Sequence, residues 1–265
     1  MKVIDCHCHI YPEKIAAVAA QSVASFYSLD VYSPMPTGEQ LLRSCEGTPI
    51  CQHIVHSVAT KPSNVESINN FIAEECRKHP EFTGFATLHP DYPEPEKEVE
   101  RVLELGLKGL KLHPDMQRVN ADDPRLMNIY AIIEGRMPPM LHCGDPRPEV
   151  QFSHPSRVKR VLQAFPGLVM DAAHLGGWGV WGEACELLGE ERCFFDVSST
   201  LAFLEPGELR NIVRRYGAER VMFGSDFPIW SPLQELETLE AAGFSSEELE
   251  LMLSANCERF LRQEL

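Results

Sequence analysis

Two histidines one residue apart, His7 and His9, lie in the segment Val3-Ile4-Asp5-Cys6-His7-Cys8-His9-Ile10-Tyr11-Pro12. Imidazole is a common metal ligand, and side chains on an extended segment alternate with period two, so both rings fall on one face of a strand. Such a pair is as readily two hydrogen-bonded core histidines. What separates the readings is whether later apolar runs also end in ligand-type residues. They do: Lys111 and His113 close one run, and His142, His174 and Asp226 close three more. The same alternation turns Cys6 and Cys8 to the opposite face, as packing residues rather than ligands.

Those residues need elements to carry them. Short apolar runs at 3–9, 52–58, 82–88, 107–113, 139–142, 168–174, 193–197 and 220–226 alternate with amphipathic stretches. One stretch, 63–78, opens with Ser63 three residues before Glu66, the spacing of a capping box, and continues with Ile68, Phe71, Ile72 and Glu75 at helical period. Another, 94–105, faces Val99, Val102 and Leu103 inward and is closed by Gly106. Eight strands alternating with helices imply parallel strands and right-handed crossovers. In 265 residues they predict an α/β fold of one domain, a (β/α)8 TIM barrel. A dinucleotide-binding sheet would need a glycine-rich turn after the first strand, where Ile10-Tyr11-Pro12-Glu13-Lys14 stands instead. In a barrel, polar residues at strand ends converge on one mouth: on the fourth strand Lys111 and His113 point in and Leu110 and Leu112 out, and on the eighth Asp226 keeps register with Met222 and Gly224.

The composition, 44% apolar and 24% charged without low-complexity tracts, is that of a globular chain with one large core. A formal net charge of -15 disfavours nucleic acid and anionic membranes as partners, since both would repel the surface. The first residues lack the regions of a signal peptide, no apolar run approaches the roughly 18 residues of a membrane span, and the nine cysteines show no paired spacing. A cytoplasmic protein acting on a small molecule is expected. The oligomeric state stays open, a homo-oligomer included.

The ordered set Asp5-Cys6-His7-Cys8-His9, Gly109-Leu110-Lys111-Leu112-His113-Pro114, Leu141-His142-Cys143-Gly144, Ala173-His174-Leu175-Gly176-Gly177 and Gly224-Ser225-Asp226-Phe227-Pro228 resembles the amidohydrolase superfamily. Within it, the set is similar to the amidohydrolase-related branch that holds aminocarboxymuconate-semialdehyde decarboxylase-like enzymes. The resemblance implies that His7, His9, His142 and Asp226 bind a divalent metal and that His174 is catalytic. Such a donor set suits Zn²⁺ and leaves room for water or a substrate oxygen. Asp226 could accept the proton of the attacking water while His174 polarises a carbonyl or protonates a leaving group. One ion is expected. Two would follow if Lys111 is carboxylated, as in several amidohydrolases; otherwise Lys111 pairs with a buried acid and His113 braces the loop before Pro114.

For the substrate, Arg147 after the fifth strand could hold a carboxylate through its planar fork, and Trp178, with Trp181, could wall an apolar pocket. His53, His56 and His89 read as structural. Glu235, Glu237, Glu240, Glu247, Glu248 and Glu250 read as a solvated face. The favoured activity is metal-dependent hydrolysis of an amide, ester or lactone of a small, carboxylated or uncarboxylated molecule. The alternative is a non-oxidative decarboxylase or hydratase of a carboxylated aromatic or muconic-type acid. A TatD-type metal-dependent deoxyribonuclease is disfavoured by charge and by Thr87-Leu88-His89-Pro90, where a glutamate ligand would be expected. A catalytically dead barrel would not need every ligand type retained.

Overall fold

In a computed structural model describing residues 2–265, eight parallel strands run in sequential order. They are β1 (Val3–His9), β2 (Ile50–His56), β3 (Phe82–Thr87), β4 (Gly109–Leu112), β5 (Pro139–Leu141), β6 (Asp171–Ala172), β7 (Phe194–Asp196) and β8 (Val221–Met222). The chain after β8 returns to β1: Cys6 N–H donates to Phe223 O (2.9 Å), Asp226 N–H to His7 O (2.9 Å) and His9 N–H to Phe227 O (2.7 Å). These bonds close the (β/α)8 barrel predicted from the alternation.

Between and after the strands lie α1 (Glu13–Tyr27), α2 (Gly38–Ser44), α3 (Val65–Lys78), α4 (Pro95–Glu104), α5 (Pro114–Gln117), α6 (Pro124–Ile133), α7 (Pro155–Ala164), α8 (Trp181–Leu188), α9 (Pro206–Tyr216), α10 (Pro232–Ala241) and a final helical run over 246–261. Six of these, α4 to α7, α9 and α10, begin at a proline, which is pre-set for the helical φ and lacks an N–H that the first turn could not satisfy. No helix among the described residues is long and apolar enough to cross a membrane.

Two apolar layers result. Leu110, Leu112, Leu141, Phe195, Val221 and Phe223 pack outward against helix residues such as Ile72, Val99, Val102, Ile129 and Val158. Inside the barrel, Ile4, Cys6, Ile54, Phe85, Met140, Phe194 and Met222 form a floor that Cys257 and Phe260 plug from below. The Phe85 ring lies against Gly109, where an added Cβ would stand 2.3 Å from it, so β4 starts with the one residue that leaves the ring its place.

Four expectations are corrected. Cys6 does not share Cys8's outward face: between Asp5 and Cys8 β1 has two residues, Cys6 and His7, where β2 has only Ile54 between their partners His53 and Val55, and this bulge turns both Cys6 and His7 into the barrel. Ser63 forms no capping box, because a 3₁₀ turn at Pro62–Asn64 precedes α3 and the Ser63 hydroxyl donates to Asn64 Oδ1. Ladder pairing in the sixth and eighth strands is shorter than the apolar runs, since His174, Leu175 and Asp226 adopt left-handed φ of 60°, 52° and 59°. Glu235 is not on a solvated face but 5% exposed, with Oε2 unpartnered.

Burial pushes the Glu235 carboxyl up to about 8, with the negative fields of Asp5 and Asp226 adding to the effect. A carboxyl with a folded pKa above its unfolded value destabilises the native state progressively as pH rises from about 4.5 to about 8. Thermal melts across that window should therefore fall less steeply for Glu235→Gln than for the parent and converge with it at the acid end. Parallel curves would refute the buried acid.

Candidate active site

The C-terminal ends of the strands bring His7, His9, Lys111, His113, His142, His174 and Asp226 to one mouth, all buried or nearly so. Asp226 Oδ1 lies 3.5 Å from His7 Nε2 and 3.4 Å from His9 Nε2. Three donors bound at ~2.1 Å around a tetrahedral ion stand roughly 3.4 Å apart, which these separations match. His56, at the end of β2, joins them: its ring centroid is 4.4 Å from that of His9, and His7, His9 and His56 offer ligand atoms within 4.8 Å of one another. Both His56 nitrogens and His9 Nδ1 are buried without a hydrogen-bond partner. An excess of orphaned imidazole nitrogens beside a carboxylate is what a cation-binding site requires, so the donor set fits a divalent metal.

The charge state fits as well. Burial, reinforced by the Lys111 charge, lowers His7 to about 4 against the opposing pull of Asp196 and Asp226. Burial likewise lowers His9 and holds His56, His113 and His142 well below the ordinary imidazole value. Burial alone would raise Asp226, but His7, His9 and His174 outweigh it and keep the carboxyl well below its usual range. Neutral imidazoles and an ionised carboxylate are the forms that bind metal.

Asp196, at the tip of β7, sets the orientation. Its Oδ2 accepts from His7 Nδ1 at 2.8 Å, and its Oδ1 accepts from the backbone N–H of His174 (2.9 Å) and Ser198 (3.0 Å). His7 Nδ1 is thereby fixed as the donor and Nε2 bears the lone pair facing Asp226. Ser199 donates to Asp226 Oδ2 at 2.5 Å, and Trp230 Nε1 donates to Ser199 in turn. Lys111 Nζ lies 2.9 Å from His7 Nε2, fully buried, its pKa lowered by burial against the fields of Asp226, Asp196 and Asp171.

The structure places His142 with His174 rather than directly with His7 and His9. His174 Nδ1 lies 3.0 Å from the Ser198 carbonyl and His142 Nε2 3.1 Å from the Gly144 carbonyl, both of which can only accept, so the two remaining nitrogens, His174 Nε2 and His142 Nδ1, meet at 2.9 Å about one shared proton. On its other side His142 Nε2 faces the Tyr27 hydroxyl (3.2 Å), which also contacts His113 Nε2 (2.7 Å). Burial keeps the Tyr27 phenol protonated, pushing its pKa well above the ordinary value, with Asp115 adding to the effect. The loop after β5 reaches this position because Gly144, at φ 81°, packs against the Gly177 backbone, where a Cβ would stand 2.5 Å away.

Arg147 is not presented to substrate. Its guanidinium grips Asp145 through Nε (2.8 Å) and Nη2 (2.6 Å), donates to Phe26 O (3.0 Å) and stacks 4.9 Å from the Phe26 ring centre, latching the end of α1. Trp178 does line the mouth, 5.1 Å from Tyr27, while Trp181 donates to His174 O. His89 accepts from Asp91 N–H within its own loop, and His53 lies with Asp5 and Cys8 on the outer side of β1. His56, which reads as structural from the sequence, stands instead in the ligand cluster, and Asp196 was not singled out; both obey strand parity, in register with Ile54 and Phe194. Tyr27 had no such signal, being the last residue of a helix.

Asp196→Asn keeps the shape but weakens the grip on His7. Metal affinity measured by competition with a chromogenic chelator should fall about 10- to 100-fold with the fold retained by circular dichroism, and unchanged affinity would remove the orienting role.

Comparison with known proteins bears on the fold and the family. Residues 4–263 match the family model described as Amidohydrolase. Among solved structures, an uncharacterized TIM-barrel protein from Bordetella bronchiseptica superposes with a TM-score of 0.80 at 18% identity, covering 99% of both chains. A dihydroxybenzoic acid decarboxylase from a Polaromonas species, with bound manganese and the inhibitor 2-nitroresorcinol, gives 0.76 at 17% identity, covering 98% of this chain and 97% of that one. A chain provisionally assigned as a 2-pyrone-4,6-dicarboxylic acid hydrolase from Pseudomonas putida gives 0.72 at 21% identity, covering 100% and 98%. No curated protein matches. At these identities the superpositions speak for the fold, and the match across the chain shows that it belongs to the amidohydrolase family.

Proposed function

We propose that the protein is a metal-dependent hydrolase of an amide, ester or lactone in a small, uncarboxylated molecule. The observation that carries this reading is the engagement of Arg147: the guanidinium that would hold a substrate carboxylate is committed to Asp145, and among the described residues the cavity lining carries no arginine and a single lysine, Lys14, whose charge is offset by Glu74 on the same lining. A decarboxylase must seat a carboxylate, whereas a neutral carbonyl substrate needs only the polar groups at the deep end. The decarboxylases among the structural neighbours keep carboxy-lyase chemistry as the competing reading.

His7, His9 and Asp226 would hold the ion, with His56 beside them. A bound divalent metal supplies a Lewis acid that polarises the carbonyl and acidifies water. The protein's own residues divide the remaining work. Asp226 Oδ1 accepts a proton from water. His174, which shares a proton with His142, polarises the carbonyl or protonates the leaving group, and Tyr27, a protonated phenol whose oxygen faces two imidazoles, shares the second task; the proton that Asp226 takes from water goes to solvent, from which the acid is restored. The nitrogen-rich donor set favours zinc, and manganese in the Polaromonas relative makes that ion the competitor. A second reading, two ions with Lys111 as a carbamate, is supported by the lowered Lys111 pKa, its 2.9 Å approach to His7 and the separate His142–His174 pair. Nine unpaired cysteines fit a reducing, cytoplasmic setting.

Purified protein of known metal content should hydrolyse members of a lactone and amide panel, lose that activity on chelation and regain it with metal. Carbon dioxide release from aromatic or muconic acids without hydrolysis would overturn the reading. Metal analysis gives one ion per chain for the simple site and two for the carbamate. Asp226→Asn should abolish turnover, and full activity with metal retained would remove the carboxylate from the chemistry. Tyr27→Phe should lower kcat about 100-fold at unchanged metal content.

A further inference from the structure

The cavity that holds the catalytic cluster does not end there. Its volume is about 730 Å³, within the range that encloses a drug-sized ligand and more than a single ring needs. From His9 and Asp226 it runs outward between α1 and α3. Ile15, Ala19 and Val23, four residues apart, share one face of α1, and Ile68 and Phe71, three apart, share one face of α3. Two apolar stripes thus line one space continuous with the metal-binding mouth, with Val58 between them. Ile15 is 45% exposed, an apolar side chain with half its surface left to whatever enters the slot. Lys14 and Glu74, of opposite charge, lie on the same lining and give it no net sign.

We propose that this slot is the substrate's second subsite, and that the substrate is an elongated molecule whose carbonyl head meets the ligand cluster while an uncharged apolar arm, an acyl chain or an equivalent aryl extension, lies between α1 and α3. The proposal rests on the hydrolase reading for the nature of the head and on the shape of the cavity for the arm. Ala16 and Ala20, buried on the neighbouring face of α1, anchor the helix, so the stripe at 15, 19 and 23 belongs to the cavity and not to the core. Discrimination by chain length follows from burial, each methylene removed from water strengthening binding until the slot is full.

The test uses straight-chain hydroxamates, from acetyl to decanoyl, titrated calorimetrically into the metal-loaded protein. Affinity should rise roughly three- to fourfold per added methylene and then level off. Ile15→Asp, at a half-exposed helix position that tolerates substitution, and Ala19→Trp, which fills the space, should each cut the decanoyl-to-acetyl affinity ratio at least about tenfold. An affinity flat from acetyl to decanoyl, an undiminished ratio in both variants, or a dimer that buries Ile15 and excludes the decanoyl probe overturns the proposal. Carbon dioxide release in place of hydrolysis, with the chain-length series intact, would refute the reaction class and leave the slot standing. Hydrolysis with a flat series would do the reverse.

Discussion

The seam where the barrel closes is also where its chemistry is assembled. Asp226 N–H donates to the carbonyl of His7, and His9 N–H donates to the carbonyl of Phe227, so two of the three backbone bonds joining the end of the chain's eighth strand to the first are made by residues whose side chains form the ligand cluster and by an immediate neighbour. A buried backbone group without a partner is costly, which makes the seam's register strongly determined. The side-chain geometry inherits that rigidity. His7 Nε2, His9 Nε2 and Asp226 Oδ1 are held by closure of the sheet before any ligand arrives, and the bulge in β1 is the adjustment that lets His7 share the interior with Cys6.

A second constraint is electrostatic. Lys111 and Asp171 are fully buried beneath the mouth, and the Asp171 carboxyl is pushed far up by burial, with the field of Asp196 adding to it. A cation and several acids in one dry interior are tolerable only because each charge meets an opposite one or is neutralised by a proton. The residues that make the site reactive are therefore also those the fold pays for. Removing one leaves the others uncompensated, so loss of activity and loss of stability at this cluster are coupled.

Much of this was legible in the sequence because two periodicities coincide: apolar runs set the strands, and the last inward position of each run carries the polar residue. His9, Lys111, His113, His142 and Asp226 follow from that rule, and so do Asp196, which was not singled out, and His56, which reads as structural because no family motif draws attention to it; His7 and His174 reach the mouth by departures from it, the bulge in β1 and the left-handed turn after β6. Cys6 escaped because a bulge breaks parity without leaving a mark in composition. Arg147 was misplaced for a different reason: a loop arginine one residue from Pro146 carries no information about which carboxylate it will meet, and Asp145, two positions earlier, was nearer than any ligand. Tyr27 was invisible because a helix end reaches the mouth through tertiary packing alone. Glu235 shows the same limit, since an acidic run does not say which member is turned inward.

The floor of the barrel has a consequence for how the molecule comes into being. Phe260 lies 6.0 Å from the Phe85 ring and 5.6 Å from that of Phe194, and Phe223 N–H donates to Met252 O, so helical residues late in the chain complete the interior on which the strands rest. During synthesis β1 through β7 emerge with neither the eighth strand to close them nor the aromatic plug to fill their base. The nascent chain must keep the ends of its sheet unpaired until nearly the whole polypeptide is available, and the step that finishes the core also draws the first and last ligands together. The reactive centre therefore cannot assemble before the eighth strand and the helical run that plugs the base are both in place.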